Sequence, residues 1–162
     1  MKATQFLGGR HMTIYFYSTK DEYGEFSNFA AFPISLDGER WPTTEHYFQA
    51  QKFEDTAYRE KIRKTNSPMI AARLGRSRKV KLRRNWESIK IDAMRRAVHA
   101  KFDSHPELQE LLLSTGDEQI VEDTTRDEFW GCGSSRTGKN WLGRILMEVR
   151  ANLHERSRSD GS

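Results

Sequence analysis

The chain has 162 residues, a length that suits one domain with a sizeable hydrophobic core. Charged residues make up 31% of it, and no apolar run approaches the roughly 18 residues of a membrane span, which argues against a membrane protein. Cys132 is the single cysteine, so an intrachain disulfide is excluded and a reducing, cytoplasmic location is expected.

The sequence predicts one domain over residues 13–154, with a short polar segment on either side. Residues 1–12 include Gly8 to His11 and lack the apolar centre of a signal peptide. We therefore expect a disordered extension or a cloning remnant there, with Met12 as an alternative start. Residues 155–162 are polar, and we expect this tail to fray.

Strand signals are concentrated near the N-terminus. Ile14–Tyr17 is a candidate strand, and a turn-rich stretch follows it. Phe32–Leu36 and Glu39–Trp41 flank Asp37-Gly38, a pair typical of the tight turns that connect two antiparallel strands. The pattern predicts a β-hairpin and a small antiparallel sheet in this part of the chain.

The segment Trp41–Phe53 predicts a helix with unusual chemistry on one face. Pro42 suits the helix entry, and Thr43 or Thr44 can cap the first free N–H groups. Positions i, i+3, i+4 and i+7 form one stripe that holds a carboxylate, a ring, an amide and an amine: Glu45, Phe48, Gln49 and Lys52. A carboxylate among aromatic side chains favours a perturbed pKa and chemistry, whereas the alternative is a partly exposed helix with an ordinary polar face.

Helices dominate the rest of the predicted fold. Two candidate helices cover Asp55–Thr65 and Ser67–Gly75, and a third starts at Trp86. A fourth is predicted after Ser104, because Ser104 and Glu107 have the spacing of a capping box. Ile120-Val121 is a candidate short strand, and the apolar stripe from Leu142 to Leu153 predicts a last helix that packs on the core. The expected fold is a helix-rich, compact α+β domain.

Two irregular segments carry side chains suited to a ligand. Gly24–Phe29 combines Ser27 and Asn28 with two aromatic rings in a predicted loop, and the alternative for the rings is packing in the core. Asp127–Gly143 places three glycines ahead of a helix N-terminus, where a backbone can approach a ligand closely and free N–H groups suit an anion. This segment matches neither a Walker loop nor a dinucleotide fingerprint, but it adds a carboxylate, a ring and an amide: Asp127, Trp130 and Asn140.

The basic residues are unevenly placed. Six lie within nine positions: Arg76, Arg78, Lys79, Lys81, Arg83 and Arg84. Such a run suits a phosphate or a nucleic-acid backbone, and the alternative is a solvated surface segment. The histidines form no HxxxH or HxH pair, so the sequence predicts neither a metal site nor a cofactor.

The unusual segments together resemble the YbiA-like or NADAR family. The similar motifs are Gly24–Phe29, Trp41–Phe53, Asn85–Glu87 and Asp127–Gly143, and the resemblance covers roughly residues 14–153. It implies a mostly helical domain with a few strands and an N-glycosidase activity. The YbiA branch of the family is implicated in hydrolysing phosphoribosylamino-pyrimidine intermediates of riboflavin synthesis, and other members remove ADP-ribose from guanine bases.

That activity gives three side chains candidate catalytic roles. Cleavage of an N-glycosidic bond develops positive charge at C1′, and Glu45 can stabilise that charge or orient water, with the helix N-terminus expected to keep it ionised. Asp127 is the second carboxylate, as a partner or as a ligand of ribose hydroxyls. Lys52 can pair with a carboxylate, bind phosphate or form a Schiff base.

The remaining candidates would bind substrate. Phe26, Trp86 and Trp130 offer rings for stacking on the base, although Trp86 has a core position as its alternative. Amide, hydroxyl and close-approach roles are expected at Ser27, Asn28, Gly131, Gly133 and Asn140. The expected partner is a phosphoribosyl or ADP-ribosyl small molecule, or ADP-ribosylated nucleic acid. A non-catalytic nucleotide-binding module and a nucleic-acid binder remain as alternatives.

Overall fold

The computed structural model describes residues 12–161. The helices and strands follow one another as β1 (Ile14–Phe16), β2 (Ile34–Leu36), β3 (Glu39–Trp41), α1 (Thr44–Ala50), α2 (Thr56–Lys64), α3 (Pro68–Arg76), α4 (Trp86–Ser104), α5 (Pro106–Ser114), β4 (Ile120–Glu122) and α6 (Trp141–Asp160). A short 3₁₀ turn covers Gly24–Phe26. The predicted helix-rich α+β fold is confirmed.

The predicted hairpin is present between β2 and β3, which pair antiparallel. Asp37 and Gly38 both have positive φ angles, 56° and 78°, as the tight turn requires. The Nε1 of Trp41 donates to the carbonyl of Leu36 at 3.2 Å and closes the hairpin from its far end.

A second sheet pairs β1 with β4 in parallel, an arrangement that the sequence patterns did not indicate. Ile14 lies opposite Ile120, and Phe16 lies opposite Glu122. The two strands come from opposite ends of the domain, and helices connect them, as parallel strands require. This pairing brings Glu122 to the neighbourhood of α1.

The start of α1 agrees with the prediction, but its end does not. Thr43 is the N-cap, and its Oγ1 accepts from the backbone N–H of His46 at 3.2 Å. The helix ends at Ala50, three residues before the predicted end, because Phe53 leaves it to form a β-bridge with Leu82. Lys52 therefore lies in the turn after α1 rather than on the helical stripe.

The capping box predicted at Ser104 and Glu107 is wrong. Ser104 is the last residue of α4, and His105 is both the C-cap of that helix and the N-cap of α5. No side chain of this cap accepts a backbone N–H; Pro106 at the first helical position instead lacks the N–H that would need a partner.

Helices α4 and α6 provide most of the main hydrophobic core. The predicted stripe of α6 is buried, from Leu142 to Leu153, and it packs with Phe102 and Ile120. Helix α6 continues through residues 155–160, which the sequence analysis assigned to a polar tail. The predicted N-terminal extension lies outside the described residues, apart from the exposed Met12. Within residues 12–161, none of the helices combines the length and apolarity needed to cross a membrane.

Candidate active site

Glu45 is a buried carboxyl group on the first turn of α1. Only 8% of the residue is exposed, and the Nε2 of Gln49 donates to its Oε1 at 2.7 Å. Burial raises the pKa of Glu45, whereas Gln49 and the charges of Lys52 and Arg76 oppose that rise. The helix N-terminus was expected to keep Glu45 ionised, but desolvation is the largest influence on its pKa and acts against ionisation.

Glu122, at the end of β4, is a partly buried residue with a second carboxyl group, which the sequence patterns did not single out. Burial, followed by the charges of Asp127 and Glu45, raises its pKa to about 8. Its Oε2 is buried without a hydrogen-bond partner among the described residues. A signal for it was present: Glu122 shares one face of its strand with Ile120, which is fully buried.

Asp127 is the third carboxylate, on the exposed loop that follows β4. Its Oδ1 accepts from the backbone N–H groups of Phe129 at 3.0 Å and Trp130 at 2.8 Å, so the side chain shapes its own loop. Its charge raises the pKa of both Glu45 and Glu122. The structure thus brings the two predicted carboxylates together with the unpredicted third.

Lys52 lies beside this acidic group and within a cluster of cations. Its pKa is lowered to about 8, mainly by burial, with the charge of Glu45 opposing this and the charges of Arg78, Arg76 and Lys90 adding to it. Its Nζ lies 5.7 Å from the centroid of the Phe48 ring. We call Lys52, Arg76, Arg78 and Lys90 the cation cluster. Two of its members belong to the basic run, so part of that run faces the site.

The aromatic rings next to Lys52 form a packed wall. Phe48 contacts Trp86 and Trp130, with centroids 5.2 Å apart in both pairs. Trp86 is only 5% exposed and belongs to the core behind Phe48, which favours a packing role for Trp86 over stacking on a base. Trp130 is partly exposed and retains a surface that a ligand can contact.

Phe26 does not line the site, in contrast to the prediction. It is 1% exposed and packs between Phe16 and Phe102 at centroid distances of 5.9 and 6.1 Å. The loop Gly24–Phe29 is held against α4 by Lys101, because the buried Nζ of Lys101 donates to the carbonyls of Glu25 and Ser27. This attachment turns the Phe26 ring inward. No open ring face is left for a base.

Asn28 positions the start of α1, whereas Ser27 supports its own loop. The carbonyl of Asn28 accepts from the backbone N–H of Glu45 at 3.2 Å, and its Oδ1 accepts from the hydroxyl of Thr44 at 2.9 Å. The Oγ of Ser27 accepts from the N–H of Phe29 at 3.1 Å. Asn28 therefore aligns Glu45 instead of offering its amide to a substrate.

Asn140 is committed to β4. Its Oδ1 accepts from the backbone N–H of Glu122 at 3.0 Å, and its Nδ2 donates to the carbonyl of Ile120 at 2.9 Å. The residue adopts a φ of 52°, which asparagine tolerates better than most residues. The predicted role in binding a base edge or a ribose is therefore replaced by a role in holding Glu122.

Gly131 and Gly133 serve the packing of their loop. A Cβ on Gly131 would lie 2.4 Å from the Oγ1 of Thr124, a distance that real side chains do not adopt. Gly133 has a φ of 68°, and its N–H donates to the same Oγ1 at 3.0 Å. These contacts account for both glycines without a ligand.

The described residues contain no group of three or more His, Cys, Asp or Glu side chains arranged to hold a metal ion. The three carboxyl groups influence one another electrostatically but do not converge as ligands. Together with the cation cluster and the exposed part of Trp130, they form a site with acidic and basic halves.

Comparison with known proteins places this chain in a family. The NADAR domain model matches residues 15–154. The chain is 59% identical over 140 residues to N-glycosidase YbiA of Escherichia coli (strain K12), which covers 86% of this chain and 88% of that protein. It is 42% identical over 155 residues to the chloroplastic riboflavin biosynthesis protein PYRR of Zea mays, covering 86% of this chain and 25% of that one.

A solved structure agrees with these matches. The NMR structure of the E. coli protein YbiA superimposes with a TM-score of 0.84 at 55% identity, over 91% of this chain and 88% of that one. Both the sequence and the fold thus agree over nearly all of the described domain. The chain belongs to the NADAR family.

Proposed function

We propose that this protein hydrolyses the N-glycosidic bond of a phosphoribosylamino-pyrimidine. The resemblance to proteins named N-glycosidase makes it a hydrolase of N-glycosyl compounds. The observation that carries the finer proposal is the cluster of Glu45, Glu122 and Asp127 beside a cation cluster, since the first suits C1′ and the second a phosphate. The name of the maize relative supports a substrate from riboflavin synthesis.

Glu45 is the group that we assign to C1′. When the C1′–N bond breaks, its electron pair leaves with the nitrogen and C1′ becomes cationic. A carboxylate at this position stabilises the cation and takes the proton of the attacking water, whose oxygen then bonds to C1′. Burial raises the pKa of Glu45 and opposes the ionised form that this role needs, while the charges of Lys52 and Arg76 favour that form. Asp127 adds negative charge to the same region or holds ribose hydroxyls.

Glu122 supplies the complementary proton in this scheme. With a pKa of about 8, its carboxyl group is mainly protonated at neutral pH. The proton passes to the departing nitrogen as the bond breaks, which turns a poor anionic leaving group into a neutral amine. Two neighbouring carboxyl groups in different environments thus take the acid and base roles.

The cation cluster is assigned to the phosphate, and Lys52 is its partly buried member next to Glu45. We expect Lys52→Met to raise the KM for a 5′-phosphorylated riboside about 10- to 100-fold, because a charge-assisted hydrogen bond to phosphate is lost. The unphosphorylated riboside should be affected much less, and Lys52→Arg should restore part of the loss. Steady-state kinetics on the two ribosides measures the difference. A sugar adduct trapped on Lys52 by borohydride would instead establish a Schiff base.

The function is tested by turnover on a panel of N-ribosides that includes a phosphoribosylamino-pyrimidine and ADP-ribosylated guanosine. We expect release of the pyrimidine base and ribose 5-phosphate. Preferential release of guanine would favour the alternative, a hydrolase that removes ADP-ribose from guanine bases. Binding without turnover of any riboside would favour a non-catalytic module. Binding of nucleic acid that weakens steeply with salt and depends on Arg83 and Arg84 would favour the last alternative.

The cellular setting that we propose is the cytoplasm. Cys132 is buried as a free thiol, which suits a reducing compartment.

A further inference from the structure

A cavity of about 400 Å³ opens next to the carboxyl cluster, and none of the roles assigned above uses it. It lies between the chain that leaves β1, the loop after the 3₁₀ turn, and the first residues of α3. The side chains that matter are Tyr17, Phe29 and Met69, together with Ser27, Ser67 and Glu122. Its volume lies at the lower end of the range of ligand pockets.

The rim of this cavity is apolar and open. Tyr17 is 63% exposed, Phe29 38% and Met69 57%, and all three are among the few large apolar side chains that the described residues expose. Two aromatic rings and a thioether at one cavity mouth form a surface that favours a flat, polarizable ligand. The hydroxyls at its wall are already engaged: Ser27 and Ser67 each accept a backbone N–H.

Glu122 lines the cavity, and its Oε2 is buried without a hydrogen-bond partner among the described residues. A buried polar atom without a partner is costly, and a ligand that fills its hydrogen-bond requirement removes that cost. Because the pKa of this group is raised, the carboxyl group carries a proton to donate. The charge of Glu45 reaches Glu122, so a ligand in the cavity is adjacent to the position assigned to C1′.

We propose that this cavity receives the leaving heterocycle, an amino-substituted pyrimidine, whose ring packs against Tyr17 and Phe29 while Glu122 donates a hydrogen bond to it. The inference rests on the proposed function and adds an orientation: the base enters the cavity, the sugar lies over Glu45, and the phosphate extends to the cation cluster. The acidic and basic halves of the site then bind opposite ends of one substrate.

The test separates the two ends of the substrate. Titration calorimetry with 2,4-diamino-6-hydroxypyrimidine probes the cavity, and titration with ribose 5-phosphate probes the cation cluster. We expect Tyr17→Ala and Phe29→Ala each to weaken pyrimidine binding roughly 5- to 100-fold, the range for loss of one stacking contact, and to leave ribose 5-phosphate binding unchanged. Tyr15→Ala is the matched control, since Tyr15 is an exposed tyrosine of the same strand region that does not line the cavity.

Three outcomes would overturn the inference: no pyrimidine binding by the wild-type protein, equal losses in Tyr15→Ala and Tyr17→Ala, or unchanged KM for turnover in both cavity variants. The last of these leaves the proposed hydrolase standing while it removes the cavity from it. Conversely, pyrimidine binding that depends on Tyr17 and Phe29 supports the cavity even where no riboside is hydrolysed. All three substituted side chains are exposed, and thermal unfolding checks that each variant is folded.

Discussion

Replacing Glu45 with Gln will lower the turnover number for base release by about 10³-fold or more, with only a few-fold change in substrate affinity. The amide has the size of the carboxyl group and keeps an oxygen for the Nε2 of Gln49, so the packing of α1 is retained. What is lost is the negative charge at C1′ and the base for water, and such contributions are individually worth about 10² to 10⁴ in rate. Single-turnover kinetics and a binding titration on one preparation separate the two quantities.

Glu110→Gln is the matched control, because Glu110 is an exposed glutamate of α5 away from the site. It should retain the wild-type rate. If Glu45→Gln keeps more than about a tenth of the wild-type turnover number, Glu45 is not the group at C1′. If it loses affinity and rate together, the residue contributes mainly to binding.

The second large effect is expected at Glu122. Glu122→Gln will lower the turnover number about 10²-fold or more, because the amide can donate a hydrogen bond but cannot transfer a proton to the departing nitrogen. In the wild-type enzyme the active form of this group is protonated, so the rate should fall as the pH rises through about 8. The variant should lack that alkaline decline.

Lys52 also titrates near pH 8, and its loss of charge must be distinguished from that of Glu122. Deprotonation of Lys52 weakens phosphate binding, so it appears in KM, whereas deprotonation of Glu122 appears in the turnover number. An alkaline decline in the turnover number that persists in Glu122→Gln would contradict the acid role.

The stability of the same variant gives an independent readout. Between the ordinary glutamate pKa and about 8, the folded protein binds the Glu122 proton and the unfolded chain does not, so the free energy of unfolding falls as the pH rises through this window. Gln at this position removes the dependence. Glu122→Gln should therefore unfold at a higher temperature than wild type at pH 8, which also excludes misfolding as the reason for its low rate.

Local signals in the sequence predicted most of the fold. Thr43 caps α1 as predicted, the helices predicted from Asp55 and Ser67 form, and the Asp37-Gly38 turn forms, because each depends on neighbours within a few positions. The end of α1 and the pairing of β1 with β4 depend on distant partners, Leu82 and residues 120–122. Local sequence propensity does not predict such long-range contacts.

The same distinction explains the candidate site. Glu45 stood out because it belongs to a helical stripe of unusual composition, whereas Glu122 ends a strand of only three residues, in which its shared face with Ile120 is a weak signal. Phe26 and Asn140 have the right chemistry for a ligand, but their partners are within the protein: Phe102 for the ring, Ile120 and Glu122 for the amide. Side-chain type suggests a role, and only the tertiary contacts show whether the group is still available.

The parallel pairing of β1 with β4 has a consequence for how the enzyme is made. Ile14 cannot pair with Ile120 until residue 120 has been synthesised. The side-chain amide of Asn140, at the start of α6, then accepts from the backbone N–H of Glu122. A nascent chain on the ribosome thus contains Glu45 long before Glu122, the proposed proton donor, is synthesised and its strand is paired, and such long-range pairing forms slowly. Chains released early by interrupted translation would contain α1 without Glu122, so under the proposed mechanism we expect them to be inactive.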